Sequence, residues 1–339
     1  MSEVEGIEYQ SVCRWIVEHV PSVEPPLDFS LIAGGHSNLT FRFVDSKDDV
    51  YVLRRPPLGH VLQSAHDMGR EYRIISALED TRVPVPKTYG LCEDASVNGS
   101  SFYVMDFIEG SVPHNADVMG ELSDDERQSF GTHVIDVLAH LHLTTPDDVG
   151  LGQLGRKQGY IERQLKRWTQ QWEATKTHEI PDMDETLRLL HAKHPEQIGA
   201  SIVHGDYRPG NMIIRDGSMA ALLDWELCTL GDPLADVGYL LNNWGEPTDI
   251  PKDGSPTSIG GFPSRAEICE RYEKLTGRSL AQISYYRAFS HWRLAAIAQG
   301  VYKRYSVGAM GDQEFDLEKY QLGIVAKAKT AREMLEVSA

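Results

Sequence analysis

At 339 residues the chain exceeds what one hydrophobic core usually organises, so two lobes are expected. Hydrophobic residues make up 41% and charged residues 24%, a globular composition that excludes a disordered or fibrous chain. The 33 basic and 50 acidic residues give a formal charge of −17, which argues against nucleic acid, because phosphate backbones need clustered Lys and Arg. That charge keeps a protein soluble and says nothing about a particular site, so it gives only slight support to a cationic substrate. Cys13, Cys92, Cys228 and Cys269 are far apart and form no CxxC pair, which points to a reducing compartment. The acidic start MSEVEGIEYQ lacks a signal-peptide pattern, and no stretch approaches ~18 consecutive apolar residues. A cytoplasmic location without a membrane partner is the expectation.

Val12, Trp15, Ile16 and Val20 sit at helical spacing before the break at Pro25-Pro26. Leu31 to Val44 and Val50 to Leu53 then alternate as strands around the turn Ser46-Lys47-Asp48-Asp49, an antiparallel arrangement. Met68, Tyr72, Ile75 and Leu78 predict a helix from His66 to Glu79 with Arg70, Glu71 and Arg73 on its polar face. Two strands follow, Lys87 to Leu91 and Ser101 to Phe107, the second running into a hinge at Ile108-Glu109-Gly110. This divides the chain into an N-terminal lobe at 1–108 and a C-terminal lobe at 109–339.

Beyond the hinge, helical patterns dominate. Capping boxes at Ser123–Glu126 and Ser264–Glu267 open two helices, and Gly277 closes the second. Long helices are expected over Leu280 to Tyr305 and Asp312 to Val337, with a surface loop over 245–263. Trp168 and Trp172, four apart on one helix, read as core. One β-like interruption carries the polar residues of interest: Ile202-Val203, Asn211 to Ile214, the turn Asp216-Gly217, and Ala220 to Leu223.

Within it stand His204-Gly205-Asp206-Tyr207-Arg208-Pro209-Gly210-Asn211 and, after the hairpin, Leu222-Leu223-Asp224-Trp225-Glu226. The spacing from Asp206 to Asn211 is that of a phosphoryl-transfer loop, in which the aspartate accepts a hydroxyl proton and the asparagine ligates a metal. Asp224 is the second metal ligand. One amide oxygen and one carboxylate suit Mg²⁺, which keeps water and phosphate oxygens as its other ligands. His204 reads as loop support, as do Asp232 and Asp236 at the start of a helix, where Asp232 is placed to cap Pro233.

The segments HGDYRPGN, LLDWE and GDPLAD resemble the aminoglycoside phosphotransferase family, and more closely the kinase-like domains fused to certain acyl-CoA dehydrogenases, over roughly residues 29 to 240. The resemblance implies an α+β, protein-kinase-like two-lobed fold, with an antiparallel sheet lobe at 1–108 for nucleotide binding over a mainly helical lobe at 109–339 for catalysis and acceptor binding. It implies Mg²⁺ and ATP or GTP as donor. The Gly34-Gly35 turn, with Ser37 and Asn38, would lie over the phosphates. Arg54 stands where most relatives have lysine, with Glu71 as its ion-pair partner. Backbone groups of Asp106 and Ile108 would meet the purine edge.

The expected partners are a nucleoside triphosphate and a small hydroxylated acceptor, either a hydroxyacyl-CoA-like metabolite or an aminoglycoside or amino alcohol. Two further readings stay open: a nucleotide-binding module without transfer activity, made plausible by the missing lysine, and a metal-dependent hydrolase using His204, Asp206 and Asp224.

Overall fold

The computed structural model describes residues 4–33, 38–58, 67–249, 255–308 and 316–337. Its first part is a five-stranded antiparallel sheet in the order β1-β2-β3-β5-β4, formed by β1 (Asp28–Ala33), β2 (Leu39–Val44), β3 (Val50–Arg55), β4 (Thr88–Cys92) and β5 (Phe102–Asp106). Side-chain alternation splits the sheet into two faces. Phe41, Phe43, Tyr51, Leu53, Phe102 and Val104 meet Val12 and Ile16 of α1 (Tyr9–His19) on one side. Val52, Tyr103 and Met105 meet α2 (Met68–Leu78) on the other, in a core that continues into the helical lobe. Two elements that periodicity did not reveal border this part, the four-residue α3 (Ala95–Asn98) and the start of β1, three residues before the expected Leu31.

The rest is mainly helical: α4 (Ala116–Gly120), α5 (Asp124–Leu143), α6 (Tyr160–Thr175), α7 (Pro181–Ala192), α8 (Leu234–Asn242), α9 (Arg265–Thr276), α10 (Ile283–Ser306) and α11 (Leu317–Val337). Both capping boxes are formed, and Gly277 ends α9 in the left-handed conformation. Trp168 and Trp172 are buried core residues. Helix α10 begins three residues after Leu280. Asp312, the expected start of α11, lies outside the described residues. None of the described helices is long and apolar enough to cross a membrane.

Two small β pairs interrupt the helices. β6 (Ser201–Val203) pairs with β9 (Thr229–Gly231), and β7 (Met212–Arg215) forms a hairpin with β8 (Ser218–Leu222) across Asp216-Gly217. Strand β9 went unseen in the sequence because three residues carry no period. Asn211 is not the first residue of a strand, as its apolar neighbours suggested, but the last of a 3₁₀ turn over Pro209–Asn211.

Candidate active site

The segment from His204 to Asn211 is held by backbone anchors. Asp236, buried in α8, accepts hydrogen bonds from the N–H groups of His204 at 2.7 Å and Gly205 at 2.8 Å. Burial opposes the Asp236 charge, yet these bonds, with His142 at 3.3 Å, keep its pKa below the ordinary value. Arg293 of α10 donates to the Gly205 carbonyl at 2.7 Å, and the Tyr207 hydroxyl donates to Val134 at 2.6 Å. Gly205 has φ +85°, and a Cβ there would lie 2.8 Å from the Leu227 carbonyl oxygen, so the turn requires glycine. His204 accepts from the Asp206 N–H through Nδ1 at 3.2 Å, which leaves its Nε2–H to donate to Leu223 at 3.0 Å. Both of its ring nitrogens are thus bonded to backbone groups, as loop support requires.

This scaffold aims the Asp206 carboxylate. Asn211 Nδ2 donates to it at 2.6 Å and to the Asp206 carbonyl at 2.9 Å, and Arg208 Nε lies 3.3 Å away. The Tyr239 hydroxyl also bonds to Asp206, and burial followed by that carboxylate pushes the phenol pKa up. With both amide hydrogens of Asn211 committed, its Oδ1 remains as a hard oxygen donor.

Asp224 follows β8, and the N–H of its neighbour Leu223 donates to the Asn211 carbonyl at 2.8 Å. Its φ of +66° is strained for a residue with a Cβ, although aspartate tolerates this region better than most. Arg54 reaches it at 3.2 Å. The same guanidinium holds Glu71 at 3.1 Å and lies 3.4 Å from the hydroxyl of Thr40, its partner across the β2–β3 ladder. Arg54 has the face parity of Val52, so strand alternation turns it toward α2.

Glu71, on the helix's polar face, is buried and forms the expected pair with Arg54. Burial pushes its carboxyl up while the guanidinium pulls it down. For Arg54, burial opposes the charge, but Glu71, Tyr103 and Asp224 outweigh it and raise the pKa. Glu226, half-buried beside Asp224 and Glu71, is pushed up to about 7, first by burial and then by those negative neighbours.

Asn38 is buried and donates to Glu71 at 3.4 Å, close to the fork of Arg54. Gly34, Gly35 and Ser37, the remaining expected phosphate-turn residues, lie outside the described residues. The Asp106 N–H is used by the Lys87 carbonyl at 2.8 Å and its carboxylate by the Tyr89 hydroxyl at 2.6 Å, which leaves the Asp106 carbonyl for a purine edge. Past Ile108, Gly110 has φ +147°, and Ser111 bridges to Ile214 with both bonds at 2.9 Å. A Cβ at Gly110 would sit 2.4 Å from the Ile214 carbonyl oxygen, so the linker is fastened directly to the strand after the catalytic loop.

Asp232 caps α8 as expected, one residue earlier than the helix's first residue Leu234 would place it: it accepts the Leu234 N–H at 3.1 Å, while its other oxygen accepts from Tyr286 at 2.6 Å. Asp236 is inside the helix, one turn on. Tyr239 and Arg293 escaped the sequence reading; Tyr239 sits three residues after Asp236 on the same helical face, a spacing that identifies it once Asp236 is known to meet the loop.

The donor set fits a divalent cation of the Mg²⁺ kind: the Asn211 amide oxygen and the Asp224 carboxylate are hard ligands near one another. Among the described residues there is no cluster of three or more His, Cys, Asp or Glu able to hold a metal, so other ligands would come from phosphate and water.

Comparison with known proteins agrees with this geometry. Residues 28–255 match the phosphotransferase enzyme family. Acyl-CoA dehydrogenase family member 10 of Mus musculus is 36% identical over 84% of this chain, and member 11 of Homo sapiens 33% over 84%. The chain spans only 27% and 37% of their respective lengths. A solved structure from Ralstonia eutropha, named for aminoglycoside phosphotransferase, is 33% identical, with 97% of this chain and 98% of that one covered at a TM-score of 0.82. A complex of aminoglycoside phosphotransferase APH(4)-Ia with AMP-PNP and hygromycin B shares the fold at a TM-score of 0.62 and 16% identity, covering 95% of this chain and 99% of that one. With a matched segment that takes in the catalytic loop, Asp224 and the Arg54–Glu71 pair, the chain belongs to the phosphotransferase enzyme family.

Proposed function

We propose that the chain transfers the γ-phosphoryl group of ATP or GTP to the hydroxyl of a small acceptor, with Asp206 as catalytic base. The carrying observation is the clamp of Asn211 on Asp206 beside an Asp224 that Arg54 ties to Glu71. The acceptor oxygen forms its bond to Pγ as the bond from Pγ to the bridging oxygen breaks. The hydroxyl proton passes to Asp206, and the nucleoside diphosphate leaves. Asn211 and Tyr239 hold the carboxylate in place, and Arg54 sets positive charge where phosphate oxygens gather. A Mg²⁺ ion held by Asn211 and Asp224 would supply neutralisation of phosphate charge. The Asp106 carbonyl and Ile108 backbone receive the purine.

The names of the acyl-CoA dehydrogenase relatives support a hydroxyacyl thioester as acceptor. The hygromycin complex favours the competing class, an aminoglycoside or amino alcohol. The test is ADP or GDP release from Mg-ATP and Mg-GTP over hydroxyacyl-CoAs, aminoglycosides and choline, with Asp206→Asn as blank. Acceptor-stimulated release that disappears in the variant is expected. Nucleotide-dependent thermal stabilisation with no stimulated release from any acceptor would instead favour a binding module.

A further inference from the structure

A cavity of about 570 Å³ opens beside the catalytic residues, between α2, the segment after Asp224, α6 and the end of α10. Its lining includes Glu71 and Glu226, the latter within electrostatic reach of Asp206 and Asp224. Its other walls carry Arg70, Arg167 and Arg304, together with Gln164. Three arginines in one cavity stand out in a chain of net charge −17.

Their contacts leave the positive charge uncompensated. Arg70 donates to the carbonyls of Cys228 at 2.6 Å and Leu154 at 3.4 Å. Arg167 lies over the Trp168 ring at 5.0 Å, a stacking that orders the guanidinium while leaving its N–H edge available. Arg304 is exposed in the last turn of α10. Among the described residues none of the three pairs with a carboxylate, whereas Glu71 is matched by Arg54. Asp67, also on the wall, caps α2 through the Arg70 N–H at 2.9 Å. The cavity therefore carries guanidinium groups that can meet an anion close to the Arg54–Glu71 pair.

We infer that the cavity takes an acceptor bearing an anionic group, a phosphate or carboxylate, which Arg167 and Arg304 hold while the hydroxyl reaches Asp206. Guanidinium forks match both oxyanions, and Arg70 adds positive potential from the floor. This rests on the phosphotransferase reading and assigns that site a specificity: hydroxylated anions are accepted and polycationic amino sugars are disfavoured by the same arginines.

The experiment measures ADP release by the full chain with β-hydroxybutyryl-CoA, β-hydroxybutyrate, choline and hygromycin B, comparing wild type, the double variant Arg167→Ala with Arg304→Ala, and Arg167→Lys. Both arginines are exposed, so the variants are expected to fold, and the KM for ATP reports that the nucleotide site is intact. In the double variant the KM for the anionic acceptor should rise by ~10-fold or more, with kcat held within about two-fold, and Arg167→Lys should recover part of the loss. A loss confined to the CoA thioester assigns the phosphate as the held group, and a loss with the free acid assigns the carboxylate. An unchanged KM in the double variant, or a wild-type preference for choline or hygromycin B, overturns the anionic subsite and leaves phosphotransfer standing. Release stimulated by no acceptor of either charge overturns both.

Discussion

The loop from His204 to Asn211 and the arginine-lined cavity are built in opposite ways. In the loop the polar groups of His204, Gly205, Asp206 and Asn211 are tied to protein partners, and the anchors come from buried residues of α8 and α10. In the cavity the charged tips of Arg167 and Arg304 extend from exposed helix positions without acidic partners among the described residues. Chemistry that needs fixed geometry is given a rigid, fully bonded frame. Selection among acceptors is left to long side chains that substitution can change without unfolding the frame.

Substitutions in the two regions should therefore differ in kind. The largest effect belongs to Asp206→Asn, which should cost about 3 to 5 kcal/mol of transition-state stabilisation, read from kcat/KM, because general-base catalysis contributes ~10²–10⁴-fold. Asp236→Asn comes next. It touches no substrate, yet loss of a buried carboxylate that accepts two backbone N–H bonds should lower unfolding free energy by about 3 kcal/mol and lower kcat as well. If kcat were unchanged at a temperature where the variant is folded, the rigid frame would not be what aims Asp206.

Of similar or smaller size is an effect of pH on α10, which serves both regions. His291 is pushed down to about 4 by burial, followed by Arg287, Lys327 and Arg265. An unfolded histidine binds its proton near pH ~6.5. Between those values the unfolded chain holds more protons than the folded one, so stability falls as pH drops from ~6.5 toward ~4, by up to about 3 kcal/mol. His291→Gln should flatten this acid limb in urea titrations and leave stability at pH ~8 nearly unaffected by comparison; an equally steep limb would mean that another group titrates.

The smallest effect is expected of Arg54→Lys. Lysine keeps the charge but cannot fork between Glu71 and Asp224, so the KM for ATP should rise by roughly five-fold, about 1 kcal/mol, with kcat changed less. A variant that binds ATP better than wild type would show that the fork has no role in phosphate handling.

Local signals carried much of this into the sequence. Capping boxes, the hairpin turn and the spacing of Asp206 and Asn211 each sit within a few residues, and the Asn211 amide does bond the Asp206 carboxylate, with the Leu223 N–H beside Asp224 on the Asn211 carbonyl. The Arg54–Glu71 pair came from the family resemblance and not from local pattern, because its members lie on different elements and a lone glutamate on an amphipathic helix looks solvated. Tyr239 needed Asp236 as a reference point. The cavity had no signature at all: Arg70, Arg167 and Arg304 are united only by the packing of three helices, and the net negative charge pointed, if anywhere, toward the opposite kind of acceptor.

The central claim is tested most directly by incubating the chain with Mg-ATP and β-hydroxybutyryl-CoA and following both products by mass spectrometry and phosphorus NMR. A phosphorylated acceptor appearing in step with ADP, and absent with Asp206→Asn, is the predicted result. ADP accompanied only by inorganic phosphate with every acceptor tried, or an Asp206→Asn variant that forms phosphorylated acceptor at the wild-type rate, would contradict it.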